Sequence, residues 1–211
     1  MTIFAQILHT LKLGGIMICP LSLLCIVAIA LICDKILFYK KLSRLPQNLF
    51  DLIETYDFKW EEFEALLVRL EAQNIYRKFF GIILQNKKQP IWWLESRAAD
   101  EVKLIEKNLS SGLWILETII TAAPLLGLLG TIIGMMDSFK LIGAEGLVNP
   151  TGITGGVAEA LIATAFGLLI AIFSLFAFNY FSRKQDQVFD ELERLGTRVI
   201  DHIKLDRHET N

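Results

Sequence analysis

Charged side chains are missing from three long stretches of this 211-residue sequence, and this absence sets the class of protein. No Asp, Glu, Lys or Arg occurs in residues 13–33, 118–136 or 160–182, which are 21, 19 and 23 residues long. As helices, these stretches are long enough to cross about 30 Å of hydrocarbon. The first is too long for the apolar core of a cleaved signal peptide, and no small-x-small cleavage site precedes Asp34. The sequence therefore predicts an all-α integral membrane protein with three transmembrane helices.

Patterns typical of metal sites and catalytic centres are also absent. The three cysteines, Cys19, Cys25 and Cys33, all lie in the first apolar stretch. None of them has a histidine or another cysteine at the spacing that metal ligands commonly show. We expect them to be buried as soft apolar packing. We expect no metal, no cofactor, no catalytic residue and no enzymatic activity. The net charge of −2 gives no indication of nucleic-acid binding.

Basic residues are scarce on one side of the predicted membrane. Of the 21 Lys and Arg, 13 lie between Lys35 and Lys107 and six from Arg183 onward, whereas Lys12 and Lys140 stand alone. The positive-inside rule therefore places the N-terminus outside, the segment after the first span inside, the loop between the second and third spans outside, and the tail inside.

Helical periodicity continues outside the spans. One apolar series leads directly into the second span, with residues at Leu94, Ala98, Val102, Ile105 and Leu109. Because no proline intervenes before Pro124, this pattern predicts one long helix from about Ile91 to Met136. Another stripe follows the third span, at Val188, Leu192, Leu195, Val199 and Ile203.

The apolar stretches, the charge pattern and the helical periodicity together divide the chain into seven segments. The first twelve residues have the pattern of an amphipathic helix at the membrane surface. We predict a periplasmic interfacial helix at 1–12, a first transmembrane helix at 13–37, a cytoplasmic helical domain at 38–112, a second transmembrane helix at 113–138, a short periplasmic loop at 139–155, a third transmembrane helix at 156–182 and a cytoplasmic helical tail at 183–211. The second and third helices are expected to extend far into the cytoplasm.

Small residues gather on one face of the second and third spans. At 100° per residue, one face of the second span carries, within about 100°, Gly127, Gly130, Thr131 and Gly134, with Pro124 beside them. The matching face of the third span covers about 140° and carries Glu159, Ala160, Ala163, Thr164, Gly167, Ala171 and Ser174. Small residues let helices approach closely in lipid, where the hydrophobic effect does not drive helices together.

Two hydroxyls on these faces are predicted to lie at the same depth. Thr131 lies about 9 Å outward from the middle of the second span, and Thr164 about 8 Å outward from the middle of the third. They are candidates for lining a polar route. The alternative is that each hydroxyl bonds back to its own helix, as threonines in membrane helices often do.

Ionisable residues stand only at the edges of these spans. Glu159, near the outer rim, is a candidate functional residue, although a carboxylate there also reaches water. Glu117, near the inner end of the second span, is a lesser candidate. Hydroxyls do not titrate near neutral pH. If protons cross this membrane, a partner must therefore supply the titrating group.

The motifs around these residues resemble a known family. APLLGLLGTIIGMMDSF, followed by a Gly-rich loop and GGVAEALIATAFGLLIAI, is similar to the MotA/TolQ/ExbB proton-channel family. The first span, GGIMICPLSLLCIVAIALICDKILFY, is more similar to ExbB than to TolQ. The family commonly closes this span with Glu and Arg, where this sequence has Asp34 and Lys35.

The resemblance implies a pentameric ring in the bacterial inner membrane whose second and third spans line a central pore. Single-span ExbD-like helices inside it would each bring a proton-carrying aspartate, and the complex would drive a TonB-like protein. Thr131 and Thr164 match the pore-facing threonines of the family, and Glu159 matches its acidic residue. Gly127, Gly130, Gly134, Pro124, Ala160, Ala163 and Gly167 would then serve close packing between subunits around the pore.

Other functions stay open from the sequence. A TolQ-like role in envelope integrity and division, or a flagellar stator, belongs to the same family. A passive membrane scaffold without ion flux belongs to another class.

Overall fold

The structure is a computed structural model that describes residues 15–42, 45–143 and 150–209. Its secondary-structure elements in these ranges are all helices: α1 (Ile18–Leu42), α2 (Gln47–Glu54), α3 (Trp60–Arg69), α4 (Ile75–Gln85), α5 (Ile91–Ser110), α6 (Leu113–Gly143) and α7 (Pro150–Glu209). The predicted all-α class is therefore confirmed. The interfacial helix predicted at 1–12 lies outside the described residues, as do residues 144–149 of the predicted loop.

Among the described residues, three helical stretches are long and apolar enough to cross a membrane: Ile18–Lys40, Ile91–Lys140 and Thr154–Arg207. They contain the second and third charge-free windows and residues 18–33 of the first, so the three-span prediction is confirmed. Helix α6 ends at Gly143 and α7 begins at Pro150, so both helices run into the segment 139–155 for which the sequence predicts a loop.

The second of these stretches is not one continuous helix. The sequence predicts a single helix from about Ile91 to Met136, but α5 ends at Ser110 and α6 begins at Leu113. Between them, Gly112 has a φ of 81°, in the left-handed region that glycine adopts readily. The prediction is wrong here because apolar periodicity continues across the break and carries no information about the backbone conformation.

The chain divides into two compact units, and each is described by itself. The first comprises Met1–Cys33 and Gly112–Tyr180, and the second comprises Asp34–Ser111 and Phe181–Asn211. The first unit therefore holds the first two charge-free windows and residues 160–180 of the third, and the second unit holds most of the charged residues.

In the first unit, α6 and α7 approach so closely that glycine is required on both helices. A Cβ atom built on Gly167 would lie 2.5 Å from the carbonyl oxygen of Ala123. A Cβ on Gly127 would lie 3.0 Å from the Cα of Thr164. Since both neighbours are backbone atoms, a side chain could be accommodated only if one helix moved.

The same contact continues toward the ends of α6 and α7 that the short loop joins. A Cβ on Gly130 would lie 2.7 Å from the Cβ of Ala163 and 3.2 Å from the Cβ of Met17, which precedes α1. One on Gly134 would lie 2.9 Å from the Cβ of Ala160. These small residues thus pack α6 against α7 within one chain. That they also serve packing between subunits around a pore stays a prediction. Spacing along a helix identifies a packing face but not the helix that covers it.

The cysteines of α1 also differ from expectation. Cys19 and Cys33 are exposed and Cys25 is half-buried, so predicted burial is wrong for the first two within this chain. Within the first unit, the buried apolar residues of α1 are Leu21 and Ala28. Because they are seven residues apart, they lie on one narrow face of the helix.

The core of the second unit follows the predicted periodicity. The buried side chains of α5 and of the C-terminal half of α7 include Leu94, Ala98, Ile105, Leu109, Val188, Leu192, Leu195, Val199 and Ile203. Both predicted stripes are confirmed, except that Val102 is half-buried.

Polar contacts join the C-terminal half of α7 to the other helices of this unit. The Tyr76 hydroxyl donates to the Glu191 carboxylate at 2.5 Å. Burial, together with Glu191, raises the pKa of Tyr76, so the phenol stays protonated and remains a donor. Further along α7, Lys204 pairs with Glu95 at 3.0 Å.

A buried lysine of α1 contacts the C-terminal end of α5. The side chain of Lys35 is 5% exposed, and its ammonium group donates to the Leu109 carbonyl at 2.8 Å. Leu109 lies in the last turn of α5, where carbonyls lack helical donors and a positive charge is favoured. Lys35 therefore caps this helix.

The close helix pair generates the first prediction. Gly167→Ala places a methyl group against the Ala123 carbonyl and should destabilise the protein by about 1–3 kcal/mol, the usual cost of overpacking. Gly155→Ala is the matched control, because a Cβ there would meet no atom within 4 Å. Thermal unfolding of the detergent-solubilised protein, followed by circular dichroism, measures both. Equal unfolding temperatures for the two variants would contradict the observed contact.

Candidate functional site

The two threonines predicted to line a route make different hydrogen bonds. The Thr131 hydroxyl donates to the Leu128 carbonyl of its own helix at 2.7 Å. The Thr164 hydroxyl donates across the helix pair to the Gly127 carbonyl at 2.8 Å. The two accepting carbonyls belong to neighbouring residues of α6, so both hydroxyls contact the same turn of that helix.

These bonds separate the roles of the two residues. Thr164 joins α7 to α6 within the chain, whereas Thr131 satisfies its donor locally and remains partly exposed at the edge of the contact. The alternative stated for single threonines, a bond to the residue's own helix, therefore holds for Thr131 but not for Thr164. That either residue lines a pore stays a prediction.

Glu159 faces a cavity rather than the packed part of the α6–α7 contact. The cavity has a volume of about 460 Å³, and its lining includes Gly15, Met17, Asp137 and Glu159. The Glu159 carboxylate contacts Gly15 so closely that a Cβ on that glycine would overlap it. Gly15 also has a φ of 67°, so both its backbone and its missing side chain suit this position. The structure thus brings Glu159 to the residues just before α1.

Asp137 is the member of this cavity that the sequence analysis did not select. It is the first ionisable residue after the charge-free window 118–136, and that position was the available signal. Two carboxyl groups therefore border one cavity, where they can exchange protons with water. The remaining members of the predicted set lie in the helix contact, namely Gly127, Gly130, Gly134, Ala160, Ala163 and Gly167.

Pro124 lies inside α6, beside the glycine face. Because proline has no N–H, the carbonyl of Ile120 lacks the donor that a helix normally supplies four residues later. The exposed side of α6 therefore carries a backbone acceptor as well as hydroxyl groups.

Within the part of the chain that the structure describes, no three His, Cys, Asp or Glu side chains come together as a metal site would require. The chemistry available in the first unit is hydrogen bonding by hydroxyls and carbonyls along the helices, and proton exchange by carboxyl groups at their ends.

Comparison with known proteins agrees with these features. Residues 71–194, more than half of the chain, match the MotA/TolQ/ExbB proton channel family. A biopolymer transport protein of Synechocystis sp. named ExbB-like 3 is 34% identical over 174 residues, which cover 80% of this chain and 81% of that protein.

Two further relatives carry the ExbB name. An ExbB homolog of Methanothermobacter thermautotrophicus is 30% identical over 193 residues, covering 90% of this chain and 68% of that protein. ExbB of Aquifex aeolicus is 45% identical over 80 residues, covering 38% of this chain and 54% of that protein. With its three apolar helices and its paired α6 and α7 motifs, the chain is an ExbB-like membrane protein that belongs to the MotA/TolQ/ExbB proton channel family.

Proposed function

We propose that this chain is the ExbB-like subunit of an inner-membrane motor of the ExbB–ExbD–TonB type, which uses the proton motive force for TonB-dependent import across the outer membrane. The observation that carries the proposal is the absence of ionisable side chains from residues 118–136 and 160–182, which nevertheless contain hydroxyl groups. Hydroxyls can pass a proton but do not titrate near neutral pH. A route through these helices needs a carboxyl group from another chain.

The partners follow from that requirement. In this proposal the chain forms a homo-oligomeric ring, a pentamer as in the ExbB branch, around single-span ExbD-like helices that bring a protonatable aspartate. A TonB-like protein receives the work. The chain itself needs no cofactor and catalyses no reaction. Thr131, Thr164 and Glu159 are the residues proposed for the proton pathway.

The orientation in this proposal rests on the distribution of Lys and Arg. In a variant whose three native cysteines are replaced, Gly155→Cys should react with a membrane-impermeant maleimide added outside intact spheroplasts. Gln85→Cys should react only after the membrane is opened. Both positions are exposed within the chain, so burial does not bias the comparison. The reverse labelling would overturn the orientation.

Energy coupling tests the function itself. Each proton that crosses yields about 2.3 kcal/mol per 100 mV of membrane potential, so import driven by this complex should stop when a protonophore collapses the gradient. A strain that lacks the gene should lose gradient-dependent uptake of chelated iron and regain it from a plasmid copy. Normal uptake in that strain, with no paralogue expressed, would favour the passive scaffold. Lost envelope integrity with normal uptake would instead favour the TolQ-like role.

Changing each threonine to valine keeps the branched shape and removes the hydroxyl. The two changes should have different effects on uptake and on stability. Thr131→Val should lower coupled uptake and leave thermal stability nearly unchanged, because its hydrogen bond is local. Thr164→Val should lower stability by about 0.6–1.7 kcal/mol, the range for hydrogen bonds between membrane helices. Uptake in cells and unfolding temperature in detergent measure the two effects. Full uptake in the Thr131→Val strain would remove that residue from the proton pathway.

A further inference from the structure

The side of α6 that the chain leaves uncovered carries a line of polar groups. Glu117, Thr121, Pro124 and Thr131 fall within about 80° of one another at 100° per residue, with the apolar Leu128 among them. Glu117 and Thr121 are exposed, and Pro124 and Thr131 are partly exposed. The glycines that pack against α7 lie on the neighbouring side of the helix, with Thr131 at the border between the two sides. Among the described residues, Glu117 and Thr121 are left uncovered by the other helices.

Hydrogen-bond acceptors remain on this side of α6. The Thr121 hydroxyl donates to the Thr118 carbonyl at 2.9 Å, which leaves its oxygen lone pairs as acceptors. Pro124 removes the helical donor of the Ile120 carbonyl, which adds another acceptor. In hydrocarbon an unsatisfied backbone carbonyl is costly, so such a side of a helix faces protein or water.

Glu117 stands at one end of this line. It is the last ionisable residue before the charge-free window, at the end of α6 that the distribution of Lys and Arg assigns to the inner side of the membrane. Among the described residues, the Glu117 carboxylate has no hydrogen-bond or ion-pair partner.

We propose that Glu117 is the inner proton-exchanging group of the route, a role that rests on the proposed function above. The protonated carboxyl group of the partner helix gives up its proton, which passes along water molecules on this side of α6 to the Glu117 carboxylate. The partner is then a carboxylate and Glu117 a carboxylic acid. Glu117 next releases the proton to water on the inner side and returns to the carboxylate. Thr121 and Thr131 provide acceptors along the same side of α6.

The test is proton flux through the complete complex with its partner chain, reconstituted in proteoliposomes, at several pH values on the inner side. Glu117→Gln should reduce flux at least tenfold, since a positioned acid–base group typically contributes 10²-fold or more. It should also remove the dependence on inner pH. Glu117→Asp should restore both in part. Glu106→Gln, which changes an exposed carboxylate of α5, is the matched control and should behave as wild type.

Each result decides between the proposals. Wild-type flux and unchanged pH dependence in Glu117→Gln, with the wild-type complex active, would overturn the role of Glu117 and leave the proposed function standing. No flux in the wild-type complex would overturn both. A second variant, Glu117→Cys without the native cysteines, should react with a water-soluble thiol reagent from the inner side of the assembled complex. Reaction only with a lipid-dissolved reagent would place this side of α6 against lipid and overturn the inference.

Discussion

The close approach of α6 and α7 is the constraint on which the rest of the first unit depends. In lipid the hydrophobic effect does not drive helices together, so packing and hydrogen bonds must hold this pair. Gly167 against the Ala123 carbonyl, and the bond from Thr164 to the Gly127 carbonyl, provide both. Because the glycine side of α6 is used within the chain, Glu117 and Thr121 on the neighbouring side stay exposed.

That division gives the polar residues distinct chemical roles. Thr164 holds two helices together, Thr131 satisfies its own donor, and Glu159 shares a cavity with Asp137 beside Gly15. Hydroxyls and carbonyls line the helices, and carboxyl groups stand at their ends. Hydroxyls and carbonyls do not titrate near neutral pH, which is why the proposed function assigns the proton-carrying carboxyl group to a partner chain.

The second unit is held mainly by its apolar core. Its apolar stripes on α5 and α7 are buried, and a few directional contacts fix their alignment, including Tyr76 with Glu191 and Lys35 with the end of α5. Burial and the neighbouring Glu191 raise the pKa of Tyr76, so its hydroxyl remains a donor even in alkaline solution. Surface ion pairs such as Lys204 with Glu95 contribute little in comparison, because water screens them.

The sequence by itself determined the class of protein, the three spans, the buried stripes and the small-residue faces, because these depend on composition and on a period of 3.6 residues. It also indicated the family, through the motifs around Pro124 and Glu159. Only the tertiary structure decided that α5 and α6 are separate helices, since Gly112 changes the backbone without interrupting the apolar pattern. Only the structure likewise decided that the glycines pack within one chain and that Thr131 and Thr164 differ. Periodicity defines the faces of a helix, but which neighbour covers each face depends on the positions of all the helices together.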